Sequence, residues 1–220
     1  MVKRRYDGES RRRAARRTRG AILESAASLF VSPGYAATRL PDLAQRAGVA
    51  VPTIHAHFGS KKGVLAALLD VTVAGDDEPV PLAERDFAAD ISAMTDARDM
   101  LARYAEHLVG VHERLADIEL ALRAAATADA DAAAIRAKND AERRAGMGMF
   151  AAALRAGGDV RPDISHDELV DVLFLAMDVA GYDWLVRRRG WSAQAYRRWY
   201  VESVAGAVLR RPDAAEPPSI

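Results

Sequence analysis

The chain has 220 residues, enough for one large domain or two small ones. It has no cysteine, which excludes disulfides, thiolate metal sites and cysteine nucleophiles. Its zero net charge hides a polarity: residues 1–62 hold 13 Lys+Arg against 4 Asp+Glu, a balance of +9, and the remainder holds 18 against 27, a balance of −9. The basic block implies an anionic partner, with nucleic acid the first candidate and an anionic membrane its rival. No apolar run approaches the roughly 18 residues of a membrane span, and no apolar stretch follows the basic start as in a signal peptide. The simplest expectation is a soluble, cytoplasmic protein.

Alanine, leucine and arginine dominate between sparse glycines and prolines, which predicts helices throughout. Residues 1–17 are basic and polar and read as a disordered arm. An amphipathic helix is predicted from about Thr18 to Ser32, with Ile22, Ala26, Leu29 and Phe30 at helical spacing and SPGY (32–35) ending it. Thr38 reads as the N-cap of a short helix reaching Ala47, with Pro41 in its first turn, where a missing N–H costs little. Gly48 breaks that helix and a second short one follows over Val51–Phe58. Ser60 can cap the next, over residues 61–73. GDDEPVP (75–81) is the clearest linker. Beyond it, helices are predicted over about 96–114, 117–127, 131–156, 165–188 and 192–210. Ser165 and Glu168 have capping-box spacing, Gly190 separates the last two helices, and 212–220 reads as a disordered tail.

Leu40–Phe58 has the spacing of a helix-turn-helix. Ala44 is small where two helices would cross, Gly48 can take the positive φ of the turn, and Val49 and Ile54 would anchor the second helix on the first. An ordinary helical corner is the alternative, and the flanking Arg39, Arg46, Lys61 and Lys62 weigh against it. The octapeptide VPTIHAHF (51–58) carries two of the five histidines. Residues 55 and 57 lie about 200° apart on a helix and cannot easily share a metal.

The stretch ILESAASLFVSPGYAATRLPDLAQRAGVAVPTIHAHFGSKKGVL (22–65) resembles the DNA-binding domain of the tetracycline-repressor (TetR) family of bacterial regulators. The patterns AxxLF, GY, TxxxD[IL]A, AGV, T[IL]xxHF and SK all occur in register. The resemblance implies an all-α fold: an N-terminal three-helix head (18–62) joined through a fourth helix to a helical-bundle ligand-binding and dimerisation domain (63–211). It also implies a homodimer. Val51, Pro52, Thr53, Ala56 and His57 would face bases or nearby phosphates, while Ile54 and Phe58 point to the core. Thr38 and Lys61 match family positions that contact phosphate, and Arg39 and Arg46 would add to them. The family usually has a tyrosine where this chain has His55, and a histidine there can still donate to phosphate, more strongly when protonated. The arginines of residues 11–19 could reach a minor groove or remain a solvated tail.

In the second half, methionine and aromatic stripes exceed what one buried face needs, and by family architecture some would line an apolar cavity. The candidates are Tyr104, His107, Met147, Phe150, Met177 and Trp184. His107 and His112 are about 140° apart around a helix and make a poor metal pair. The last two helices carry small residues (Ala176, Ala180, Gly181, Ala205, Gly206) that suit a two-fold interface between copies. The expectation is therefore a homodimeric regulator, most often a repressor, that binds a palindromic operator and is released by a small apolar or amphipathic effector. No metal or other cofactor is expected, no membrane partner and no catalysis. A helical hydrolase or metalloenzyme using His55/His57 or His107/His112 is the alternative. It lacks a nucleophile elbow, paired carboxylates and histidines at i, i+4.

Overall fold

The first helix begins far ahead of the hydrophobic pattern. In the computed structural model, which describes residues 3–210 except 79, 82 and 83, α1 spans Lys3–Leu29. The stretch read as a disordered arm is thus helical from Lys3. Arginine and alanine are good helix formers, and nothing between Arg11 and Arg19 interrupts them. The C-terminal stretch 212–220 lies outside the described residues.

After a wide turn at Phe30–Gly34 come α2 (Leu40–Ala47), α3 (Val51–Phe58) and α4 (Lys61–Ala74). Gly48 takes φ 67° at the end of α2, the left-handed conformation expected of it. Ser60 caps α4 by accepting from the Gly63 N–H at 3.1 Å. The cap of α2 is one residue later than the sequence suggests. Arg39, not Thr38, is the capping residue, and its backbone N–H donates to the Asp42 carboxylate at 3.0 Å.

The remaining helices are α5 (Asp86–Ala93), α6 (Ala97–Ala125), α7 (Ala130–Ala156), α8 (His166–Ala176), α9 (Val179–Tyr182) and α10 (Ala193–Val208). Helix α5 has no counterpart in the sequence reading. Its two apolar anchors, Phe87 and Ile91, sit one turn apart in a short helix whose periodicity is too brief to stand out. The helices expected over 96–114 and 117–127 are one, because Leu115, Ala116 and Ile118 are buried and no glycine or proline lies at their junction. The helix expected over 165–188 is instead broken. Asp178 leaves the helical conformation (φ −67°, ψ 132°) and its side chain accepts from the Ala180 N–H at 2.8 Å, starting a new helix. A wider helical turn, Asp183–Arg188, continues α9. The Ser165–Glu168 capping box is present at 3.2 and 2.8 Å.

Contacts divide the chain into two units: Met1–Asp77 with Leu115–Ala137, and Glu78–Arg114 with Lys138–Ile220. The first unit therefore takes in all of α4 and the adjoining ends of α6 and α7, beyond the head boundary at 62. Its core joins Ile22 and Ala26 of α1, and Phe30 of the turn that follows it, to Tyr35, Leu43, Ile54 and Val64, Leu65 and Leu68 of α4. The Phe30 and Tyr35 rings meet edge to face at 5.1 Å. The core of the second unit joins α6, α7, α8 and α10 through Leu101, Leu108, Phe150, Leu154, Leu173, Tyr200 and Val208. Among the described residues no helix is long and apolar enough to cross a membrane.

Candidate nucleic-acid interface and the interior of the second unit

The helix-turn-helix is held by short-range bonds that its sequence spacing makes possible. The Val49 N–H donates to the Ala44 carbonyl at 3.0 Å, closing the turn over Gly48. Ala44 is 4% exposed and Ile54 fully buried, so the two helices cross where the small residue and the branched one meet. Burying Ile54 orients the rest of α3. Pro52, His55 and Ala56 are exposed and Val51, Thr53 and His57 half-buried, which makes a continuous outward surface with Arg39 and Arg46 exposed on α2. Phe58 is half-buried rather than core, and the Arg19 guanidinium lies 4.8 Å from its ring centre. Arg11–Arg17 are exposed along α1.

Three of the expected phosphate contacts have internal roles that their spacing does not reveal. Thr38 is 2% exposed, and its hydroxyl faces the Leu29 and Gly34 carbonyls at 2.9 and 2.8 Å. A hydroxyl buried in this way is not available to DNA; it ties the end of α1 to the start of α2. The Lys61 ammonium donates to the Tyr35 and Thr38 carbonyls at 2.9 and 3.2 Å and stands 4.1 Å from the Tyr35 ring centre. Burial, followed by the charges of Asp129 and Asp131, pushes that phenol up to about 12. His55 uses Nδ1 on the Gly59 carbonyl at 2.8 Å, at the C-terminus of α3. A carbonyl only accepts, so Nδ1 carries the proton. The exposed Nε2 of the neutral ring is then an acceptor and becomes a donor only in the imidazolium.

In the second unit, four of the six pocket candidates gather. Tyr104, Met147 and Phe150 are buried in one cluster, Tyr104 and Phe150 stack at 4.8 Å, and the Tyr104 hydroxyl points to the Met177 sulfur at 3.7 Å. His107 is set apart: its ring lies flat on Phe87 of α5 at 3.7 Å with 5° between planes. Burial, then Arg103, Arg114 and Arg85, push that imidazole down to about 4. Trp184 does not line this interior and is 57% exposed. On an uninterrupted helix residue 184 falls under residue 177, but the break at Asp178 and the wider turn after Tyr182 remove that register.

Tyr182, Tyr196 and Tyr200, which were not among the pocket candidates, are buried, and so is His112, which the sequence suggests only as a poor metal ligand. His112 Nε2 donates to the Met177 carbonyl at 3.1 Å, across the break between α8 and α9. Its ring is 5.1 Å from Tyr182 and 6.2 Å from Tyr196. The i, i+4 spacing of Tyr196 and Tyr200 was the signal available for this group. Among the described residues, no three His, Asp or Glu side chains come together as a metal site.

A helix-turn-helix with a short, outward-facing second helix and a basic surround is the arrangement by which such helices enter a major groove. Residues 22–68 match the sequence profile of the bacterial regulatory proteins of the tetR family. It is 44% identical over 52 residues to the HTH-type transcriptional repressor ComR of Escherichia coli (strain K12), and 41% identical over 51 residues to the HTH-type transcriptional activator FasR of Mycolicibacterium smegmatis. These alignments take in 24% and 23% of this chain, and only 25% and 23% of the two curated relatives. A putative transcriptional regulator from Saccharomonospora viridis, solved in complex with choline, superposes over 88% of this chain and 98% of its own, with a TM-score of 0.64 and 26% identity.

Proposed function

We propose that the protein is a ligand-responsive transcriptional regulator, a repressor that binds a palindromic operator as a homodimer and releases it when a small apolar or amphipathic effector enters the second unit. The observation that carries this reading is the outward face of α3, fixed by the burial of Ile54. An eight-residue helix is about 12 Å long, enough to place one or two turns in a major groove. Val51, Pro52, Thr53, Ala56 and His57 read bases or adjoining phosphates. Arg39, Arg46, His55 and the exposed arginines of α1 hold the backbone, and Lys61 acts from the start of α4. Such a regulator works in the cytoplasm.

One such helix reads too few base pairs for specificity, and two of them about 34–36 Å apart read a palindrome. The second copy is supported by the outer surfaces of the C-terminal helices. Leu175 and Trp184 are 77% and 57% exposed, Ala180 and Gly206 are exposed small residues, and Trp191, Ala195, Arg198, Trp199 and Glu202 line an open groove of about 460 Å³. Exposed large apolar side chains beside small ones favour burial against another copy. Release of DNA requires the effector to prefer the state that does not bind, and the solved choline complex supports an effector site in proteins of this fold.

Selection of bound DNA from a random pool tests the reading. The expected result is an inverted repeat, bound by a dimer with an affinity that falls steeply with salt. Recovery of no shared sequence, or an affinity independent of salt, would overturn it.

A further inference from the structure

The effector site proposed above has a chemistry that can be read from the interior of the second unit, and the following rests on that reading. Tyr196 and Tyr200 lie one turn apart on α10 and both are fully buried. Among the described residues, neither phenol hydroxyl has a hydrogen-bond partner. Two unmatched hydroxyls one turn apart are unusual, because a buried polar group without a partner is costly. A third phenol adjoins them: the Tyr104 ring is 6.0 Å from that of Tyr200, and its hydroxyl has only the weak acceptor of the Met177 sulfur. Met177 sits at the break between α8 and α9, with Tyr104 at its sulfur and His112 at its carbonyl.

We infer that this group of phenols around Met177 binds the polar end of an uncharged effector, an alcohol, phenol or ketone on an apolar frame. The hydroxyls of Tyr196 and Tyr200 can each donate to a carbonyl or hydroxyl oxygen and accept from a hydroxyl. Met177 is an unbranched, half-buried side chain at a helix end, so it is the group able to give way. A ligand oxygen would give Tyr104 a stronger acceptor than sulfur.

Charge excludes the other classes. Charged side chains close to these phenols are already engaged: Arg143 with Asp140 at 3.2 Å and the face of Phe174 at 5.0 Å, Asp178 in capping α9. Asp183 is held by Arg187 and Arg188 at 3.5 and 2.7 Å. A carboxylate or phosphate would be buried here without a counter-ion, at a cost larger than its hydrogen bonds return. A quaternary ammonium makes no hydrogen bond and would leave the phenol oxygens as they are.

The test is calorimetric titration of the full chain with four probes of one frame: β-naphthol, naphthalene, β-naphthoate and a trimethylammonium-substituted naphthalene. β-Naphthol should bind at least about tenfold more tightly than the other three, a factor worth about 1.4 kcal/mol. Tyr196→Phe and Tyr200→Phe should each remove most of that advantage. The same variants, measured without ligand, should melt no lower than the parent, since each loses a hydroxyl that has no partner. Tightest binding by the anion or the cation would overturn the inference, as would absence of naphthol binding. Melting several degrees lower in both variants would do so too, because it would mean the hydroxyls are already bonded. Titration needs no DNA: naphthol binding that leaves operator affinity unchanged would count against the regulator and uphold the site.

Discussion

Replacing Thr38 by valine separates two accounts of the most conspicuous threonine in the helix-turn-helix. Valine keeps the shape and removes only the hydroxyl. In the structure that hydroxyl lies 2.9 Å from the Leu29 carbonyl and 2.8 Å from the Gly34 carbonyl, in a residue 2% exposed. Gly34 keeps the Thr38 N–H as a donor at 3.1 Å, so the loss falls mainly on Leu29. A buried hydrogen bond whose acceptor is left in place is worth about 1–2 kcal/mol. For a chain of this size each kcal/mol shifts melting by about 2–4 °C, so Thr38→Val should melt roughly 2–8 °C lower. Thr38→Ser, which keeps the hydroxyl, should recover most of that. The assay is thermal unfolding by circular dichroism, paired with DNA affinity across a salt series. If Thr38→Val melts like the parent while its affinity drops and the salt slope falls by about one, the residue holds a phosphate and the packing argument is wrong.

Other outcomes follow from the same contacts. Lys61→Ala should weaken binding to specific and random DNA alike and also lower the melting temperature, since it removes two carbonyl partners and the Tyr35 ring contact; a loss of affinity with unchanged melting would place the ammonium on phosphate instead. Thr53→Ala should change base preference in a selection experiment more than it changes random-DNA affinity, and an equal effect on both would refute its assignment to the bases. His107 binds its proton less readily folded than unfolded, so stability should fall as pH drops from 6.5 toward 4. His107→Phe, which can keep the stack on Phe87, should lessen that fall, as read from melting curves at several pH values.

The helix-turn-helix unit was largely legible because its signals are local. Gly48 needs a positive φ, Ser60 caps the helix it precedes, and a small residue, a glycine and a branched apolar residue at fixed spacing close the turn. Each of these is decided within about ten residues of chain, and together they orient Pro52, Ala56 and His57 outward before any distant contact is known. The helical content of the rest was equally plain from its composition.

What local pattern could not decide was where a polar atom finds its partner. Thr38 and Lys61 are spaced like phosphate ligands, yet their bonds reach back to carbonyls brought near by the turn after α1, nine residues away for Thr38 and 26 for the Lys61–Tyr35 contact. Trp184 follows Met177 in helical register, but a break set by Asp178 and bridged by His112, 65 residues from the carbonyl it holds, turns it to the outside. The phenols of Tyr104 and Tyr200 are distant in sequence and meet only when α6 packs on α10. By itself the sequence determined that the fold is helical and which face of α3 is presented, since propensity and spacing act along the chain. Only the tertiary structure decided which hydroxyls, amines and imidazoles remain available to a ligand, since that depends on acceptors supplied by other helices.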